Sequence, residues 1–109
     1  MKITLYQVIS DETIEASVRG ETLTINGEEI DLSVIPDGYR LPASAVSNRW
    51  FVLGSYIERI GGHFNLTLCL PVHWDTAEEI RAPKEPIVLD VKRGKVKFPN
   101  TEPVKNDQP

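Results

Sequence analysis

One cysteine, Cys69, stands in 109 residues, so no internal disulfide is possible, and a reducing compartment suits the chain. No run approaches the roughly 18 apolar residues of a membrane-spanning helix. The opening segment MKITLYQV alternates apolar with polar positions and lacks the continuous apolar core of a secretory signal. The expectation is a soluble protein made in the cytoplasm, with no membrane partner. Lys and Arg number 12 against 16 acidic residues, for a formal charge of -4. Phosphate recognition needs clustered cations, and the only short run is Lys92-Arg93 with Lys95 and Lys97; nucleic acid is therefore not the expected partner. No glycine-rich phosphate loop precedes a helix. Ser44, Ser47 and Ser55 lack the context of a nucleophile elbow.

What the chain does have is period-2 alternation broken by glycine turns, the mark of antiparallel strands. Ile3 and Leu5 point one way and Thr4 and Tyr6 the other in a first strand over Lys2 to Val8. Ile14 to Val18 turns at Arg19-Gly20 into Glu21 to Ile25, and a two-residue turn there sets Ala16 against Leu23 and Ile14 against Ile25. Asn26-Gly27 is the strongest short hairpin signal, since both positions of the favoured turn need φ > 0. It sets Leu23 against Ile30, with Thr22, Thr24, Glu29 and Asp31 on the polar side.

The longest such pattern runs from Trp50 to Trp74 and turns at Gly61-Gly62. That turn pairs Ile60 with His63, and the register then places Ile57 against Leu66 and Leu53 against Leu70, with Phe51, Phe64 and Leu68 on the same core face. Tyr56, Glu58, Asn65, Thr67 and Cys69 fall on the other. Gly54 within the arm predicts a bulge or a close backbone approach. Leu41 to Val46 reads as a helical turn or a short extended segment. A short helix starts near Thr76, capped by Asp75 or Thr76 and stopped by Pro83. A last hairpin over Ile87 to Phe98 turns at Arg93-Gly94, with Leu89 against Phe98 and Val91 against Val96. The fold class is all-β: a small antiparallel β-sandwich or partly open barrel built from meander hairpins. Residues 1-98 form one domain; residues 99-109 have little to bury and read as a disordered or extended tail.

Candidate chemistry is sparse. His63 and Cys69 share a face, but six residues of strand hold them about 20 Å apart, so with His73 they do not make a zinc set. Cys69 and His73 lack a third group to orient a nucleophile pair. Asn65-Leu66-Thr67 matches a glycosylation sequon, but within a strand it reads as coincidence. The expectation is therefore a protein without catalytic residues, metal or cofactor. The residues best placed for contact with a ligand or partner are Tyr56, on the mixed face, and His73, Trp74 and Asp75. An aromatic beside the acids Asp75, Glu78 and Glu79 is the arrangement of a carbohydrate site, and also of a loop tryptophan next to an acidic helix start.

Three segments together carry a resemblance: Leu23-Thr24-Ile25-Asn26-Gly27-Glu28 continuing to Ile35-Pro36-Asp37-Gly38; Trp50-Phe51 with Ile57-Glu58-Arg59-Ile60-Gly61-Gly62; and Leu66-Thr67-Leu68 with Leu70-Pro71. With a Pro-rich run from Pro83 to Val88, they resemble a family of small prophage-encoded proteins whose genes lie among tail and tail-fibre genes. The likeness covers most of residues 20 to 91, and its motifs are turns and core positions. The chain departs from the family pattern in a longer segment between Phe51 and Ile57 and in its own His73-Trp74-Asp75 loop. The resemblance implies a non-enzymatic minor tail component or tail-assembly factor. Its partners would be phage structural or assembly proteins, or a second copy of itself, in the bacterial cytoplasm or the virion. The alternative is a small ligand- or glycan-binding β-module using the Trp74 loop.

Overall fold

The computed structural model describes residues 1–103. Two sheets face each other without closing into a barrel. The strands are β1 (Lys2–Ile9), β2 (Ala16–Arg19), β3 (Thr22–Ile25), β4 (Glu28–Asp31), β5 (Arg40–Pro42), β6 (Tyr56–Ile60), β7 (His63–Val72), β8 (Ile87–Asp90) and β9 (Gly94–Lys95). A single turn of helix, α1 (Glu78–Arg81), lies between β7 and β8. One sheet has the order β5-β6-β7-β1-β8 and the other β4-β3-β2-β9. Their inner faces meet in one apolar cluster: Ile3, Leu5, Ile57, Leu66, Leu68 and Leu70 from the first, and Ala16, Val18, Leu23, Ile25 and Ile30 from the second. The all-β sandwich expected from the turns is what forms.

The meander β2-β3-β4 follows its turns. Asn26 (φ 47) and Gly27 (φ 85) both take the left-handed conformation, and Leu23 faces Ile30 as the two-residue turn requires. The β2–β3 turn is corrected. It sits at Gly20-Glu21, so Ala16 pairs with Ile25 and Val18 with Leu23, two residues from the expected register. A slip of two preserves side-chain parity, which is why the same residues still reach the core.

The β6–β7 hairpin keeps its register near the turn, with Ile60 against His63 and Glu58 against Asn65. Further along it breaks. That register would set Phe51 against Val72, but Phe51 meets Leu68, four residues nearer the turn. The intervening residues loop out through a turn in which Ser55 donates its N–H (3.1 Å) and hydroxyl (2.5 Å) to the Val52 carbonyl. Gly54 (φ 86) supplies the left-handed residue. Leu53 therefore stands 83% exposed and is not a core residue opposite Leu70.

Residues 87–98 do not form a hairpin. β8 pairs with β1, where Leu89 faces Ile3, and β9 pairs with β2, where Lys95 faces Ser17. The chain changes sheets between them, carrying Val96 into the core. β1 lies between β7 and β8 and is parallel to β7, with Ile3 beside Leu66 and Leu5 beside Leu68. This interior position explains its two apolar inward residues at 0% and 3% exposure. Leu41 lies in an extended strand, β5, and Ala43–Ala45 form a 3-10 turn. The cap of α1 is Ala77, without a side-chain hydrogen bond. Thr76 instead turns its hydroxyl inward and is 2% exposed. Residues 99–103 run beside Thr76, which bridges to Pro103. The expected tail beyond them, 104–109, lies outside the described residues.

Candidate functional site

The four residues expected to make contacts fall at two separate places. His73, Trp74, Asp75 and Thr76 form a tight turn after β7. The His73 N–H donates to the Thr76 hydroxyl oxygen (2.8 Å), the Thr76 N–H to the His73 carbonyl (3.1 Å), and the Thr76 hydroxyl to the Thr101 carbonyl (2.5 Å). The flanks are thus tied down while the tip is held in water: Trp74 is 78% exposed and Asp75 is exposed beside it. The His73 ring Nδ1 is 3.8 Å from an Asp11 oxygen, beyond hydrogen-bond range.

Tyr56 lies elsewhere. It opens β6, whose Glu58 pairs with Asn65, while the turn follows Val72. The rise of a strand puts Tyr56 and the turn about 15–20 Å apart. The Arg40 guanidinium from β5 stacks on the Tyr56 ring, 4.1 Å from its centroid. That contact fixes the ring on the sheet's outer face.

The same outer face holds residues that the sequence reading did not join to Tyr56. β1 presents Tyr6 outward, and its neighbour on β7 is Cys69. Thr4, two residues before it, faces Val88 on β8. Tyr6, Val88, Ile60 and Tyr56 are exposed at 57%, 51%, 57% and 42%. Alternation alone sent Tyr6 outward; what it could not supply was the order of strands that sets Tyr6 on the same surface as Tyr56.

The surroundings of Cys69 disfavour its thiolate form. Burial among its strand neighbours pushes its thiol up from the ordinary value, and the Arg49 guanidinium only partly opposes this. β7 runs unbroken from His63 through Cys69, so the two stay far apart. Among the described residues, no three His, Cys, Asp or Glu side chains gather into a metal-binding group. No helix among them is long and apolar enough to cross a membrane.

A cleft of about 670 Å³ opens at the end of the sandwich beside the Gly20-Glu21 and Gly61-Gly62 turns, with Phe64 and Lys92 among its lining residues. One of its lining carboxylates, Glu21, is engaged internally by Arg59. Arg59 points inward from β6, donates to the Ile35 carbonyl (3.0 Å) and to Glu21 (2.6 Å), and lies 5.1 Å from the Phe64 ring. This bridge ties the two sheets at that end. No family model, curated protein or solved structure matches this chain.

Proposed function

We propose that this chain works through protein contacts, as a minor component or assembly factor of a phage tail. The observation that carries the reading is the outer face of the five-stranded sheet, where Tyr6 and Tyr56 stand exposed on strands whose other side is sealed in the core. Tyrosines on a rigid sheet offer large contact area at little cost in side-chain freedom, and such residues are enriched where proteins meet. The phage setting is supported by the sequence resemblance, and the partner is accordingly a tail structural or assembly protein. Mass spectrometry of purified particles from the induced prophage tests this. Stoichiometric presence makes the chain a tail component. Absence from particles and from tail-assembly intermediates, with the protein abundant in the lysate, contradicts the proposal.

A second reading rests on the Trp74 turn, whose indole projects from a backbone held by the Thr76 bonds. An exposed aromatic platform beside a carboxylate is what a glycan-binding loop requires. It predicts that Trp74→Ala abolishes binding on a glycan array while the fold survives. Equal signals from the two proteins would contradict it.

A further inference from the structure

The four-stranded sheet carries opposite charge on its two open edges. At one edge, β4 exposes Glu28, Glu29 and Asp31 while Ile30 turns inward. At the other, β9 and its continuation expose Lys95 and Lys97 while Val96 turns inward, with Lys92 and Arg93 just before. No described strand pairs with the open side of either.

From these edges we infer that the chain associates with a second copy of itself head to tail, β4 of one copy adding to β9 of the next. The step rests on the reading that the chain acts through protein contacts, but it uses a different surface from the tyrosine face.

Backbone direction, backbone pairing and side-chain pairing agree on one register. The sheet has an even number of strands, all antiparallel. Its two edge strands therefore run oppositely, and a copy laid alongside continues the sheet antiparallel without being turned over. The Leu32 N–H donates inward to the Glu21 carbonyl (2.9 Å) and the Val96 N–H inward to the Ala16 carbonyl (2.9 Å). By alternation, the backbone groups of Glu29 and Asp31 face out on one edge and those of Lys95 and Lys97 face out on the other. If Ile30 of one copy is set against Val96 of the next, so that both inward residues extend the core layer, Glu29 falls opposite Lys97 and Asp31 opposite Lys95. Both are then opposite-charge cross-strand pairs on the outer surface.

The same charges oppose the alternatives. β4 against β4 sets carboxylate on carboxylate, and β9 against β9 sets ammonium on ammonium. A head-to-tail contact is heterologous, so it grows into a ring or an open filament and not a closed dimer. In the five-stranded sheet, the β5 edge is less suited to pairing, because β5 ends in Pro42, which has no N–H to donate.

Sedimentation velocity of the full chain at low and high salt tests the inference, with two variants that leave the Asp31 contact to Ser33 intact: Glu29→Lys and Lys97→Glu. The wild-type chain is expected to associate with concentration at low salt and to dissociate at about 1 M salt, where screening is nearly complete. Each variant alone weakens association about tenfold, since a favourable pair becomes a repulsive one. Mixing the two restores it, because the Lys97 edge of one variant meets the Glu29 edge of the other. Circular dichroism confirms that both variants fold. A wild-type chain that stays monomeric at low salt overturns the inference, as does association that survives either reversal or a mixture that does not recover. None of these outcomes touches the tyrosine face, whose own test is incorporation into tails.

Discussion

The two sheets were built by different means. In the meander β2-β3-β4, each strand pairs with the next in sequence through a two-residue turn. In the five-stranded sheet, β1 sits between β7 and β8, which follow it by some sixty and eighty residues. Local turns specify the meander and the β6–β7 hairpin; only burial places β1 between β7 and β8. Chemistry left on the surface follows the same division. The meander spends its polar residues on its own turns and charged edges, whereas the five-stranded sheet carries the exposed tyrosines.

The largest expected effect breaks the non-local sheet. Ile3 is fully buried, with Leu66 on one side and Leu89 on the other. Ile3→Ala should cost about 2–5 kcal/mol, read as a lower denaturant midpoint with an unchanged slope. A loss under 1 kcal/mol would mean that β1 is not an interior strand of its sheet.

The meander should be softer and faster. Asn26 holds its turn with φ 47, accepts a bond from the Glu15 N–H (2.7 Å) and donates one to the Thr13 carbonyl (3.1 Å). Asn26→Ala should cost about 1–3 kcal/mol, from the lost bonds and the left-handed strain on alanine. Because its contacts are close in sequence, they should form early. The variant should then mainly slow folding, whereas Ile3→Ala mainly speeds unfolding. The opposite pattern in stopped-flow kinetics would reverse the comparison.

The smallest effect sharpens it. Leu53→Ser should change stability by less than about 0.5 kcal/mol, since Leu53 projects from the Val52–Ser55 turn into water. A loss of about 2 kcal/mol or more would restore the long uninterrupted hairpin and a buried Leu53.

What could be read in advance follows from the same physics. Asn26-Gly27 and Gly61-Gly62 fixed their adjacent registers because a turn needing φ > 0 leaves few residues able to make it. Parity along β1, β3 and β7 named the inward residues correctly. Gly20 was read one position too late in its turn, because glycine serves at either position of such a turn. Arg93-Gly94 looked like a fourth hairpin because its flanks alternate. The competing gain was burial of Leu89 beside Ile3 in one sheet and Val96 in the other. The parallel β1–β7 pair has no turn to announce it. For the candidate site, alternation exposed Tyr6 and Tyr56 separately, and the exposure of Trp74 awaited the inward Thr76 hydroxyl that ties its turn.

The central claim is that the tyrosine face of the five-stranded sheet meets a tail protein. Its most direct test is the copy number, in purified tails and tail intermediates, of wild-type protein against the Tyr6→Ala/Tyr56→Ala double variant expressed at equal level. The account predicts that the wild type is incorporated and that the folded variant is depleted at least tenfold, a loss of about 1.4 kcal/mol or more in binding. Equal incorporation of a folded double variant would contradict it.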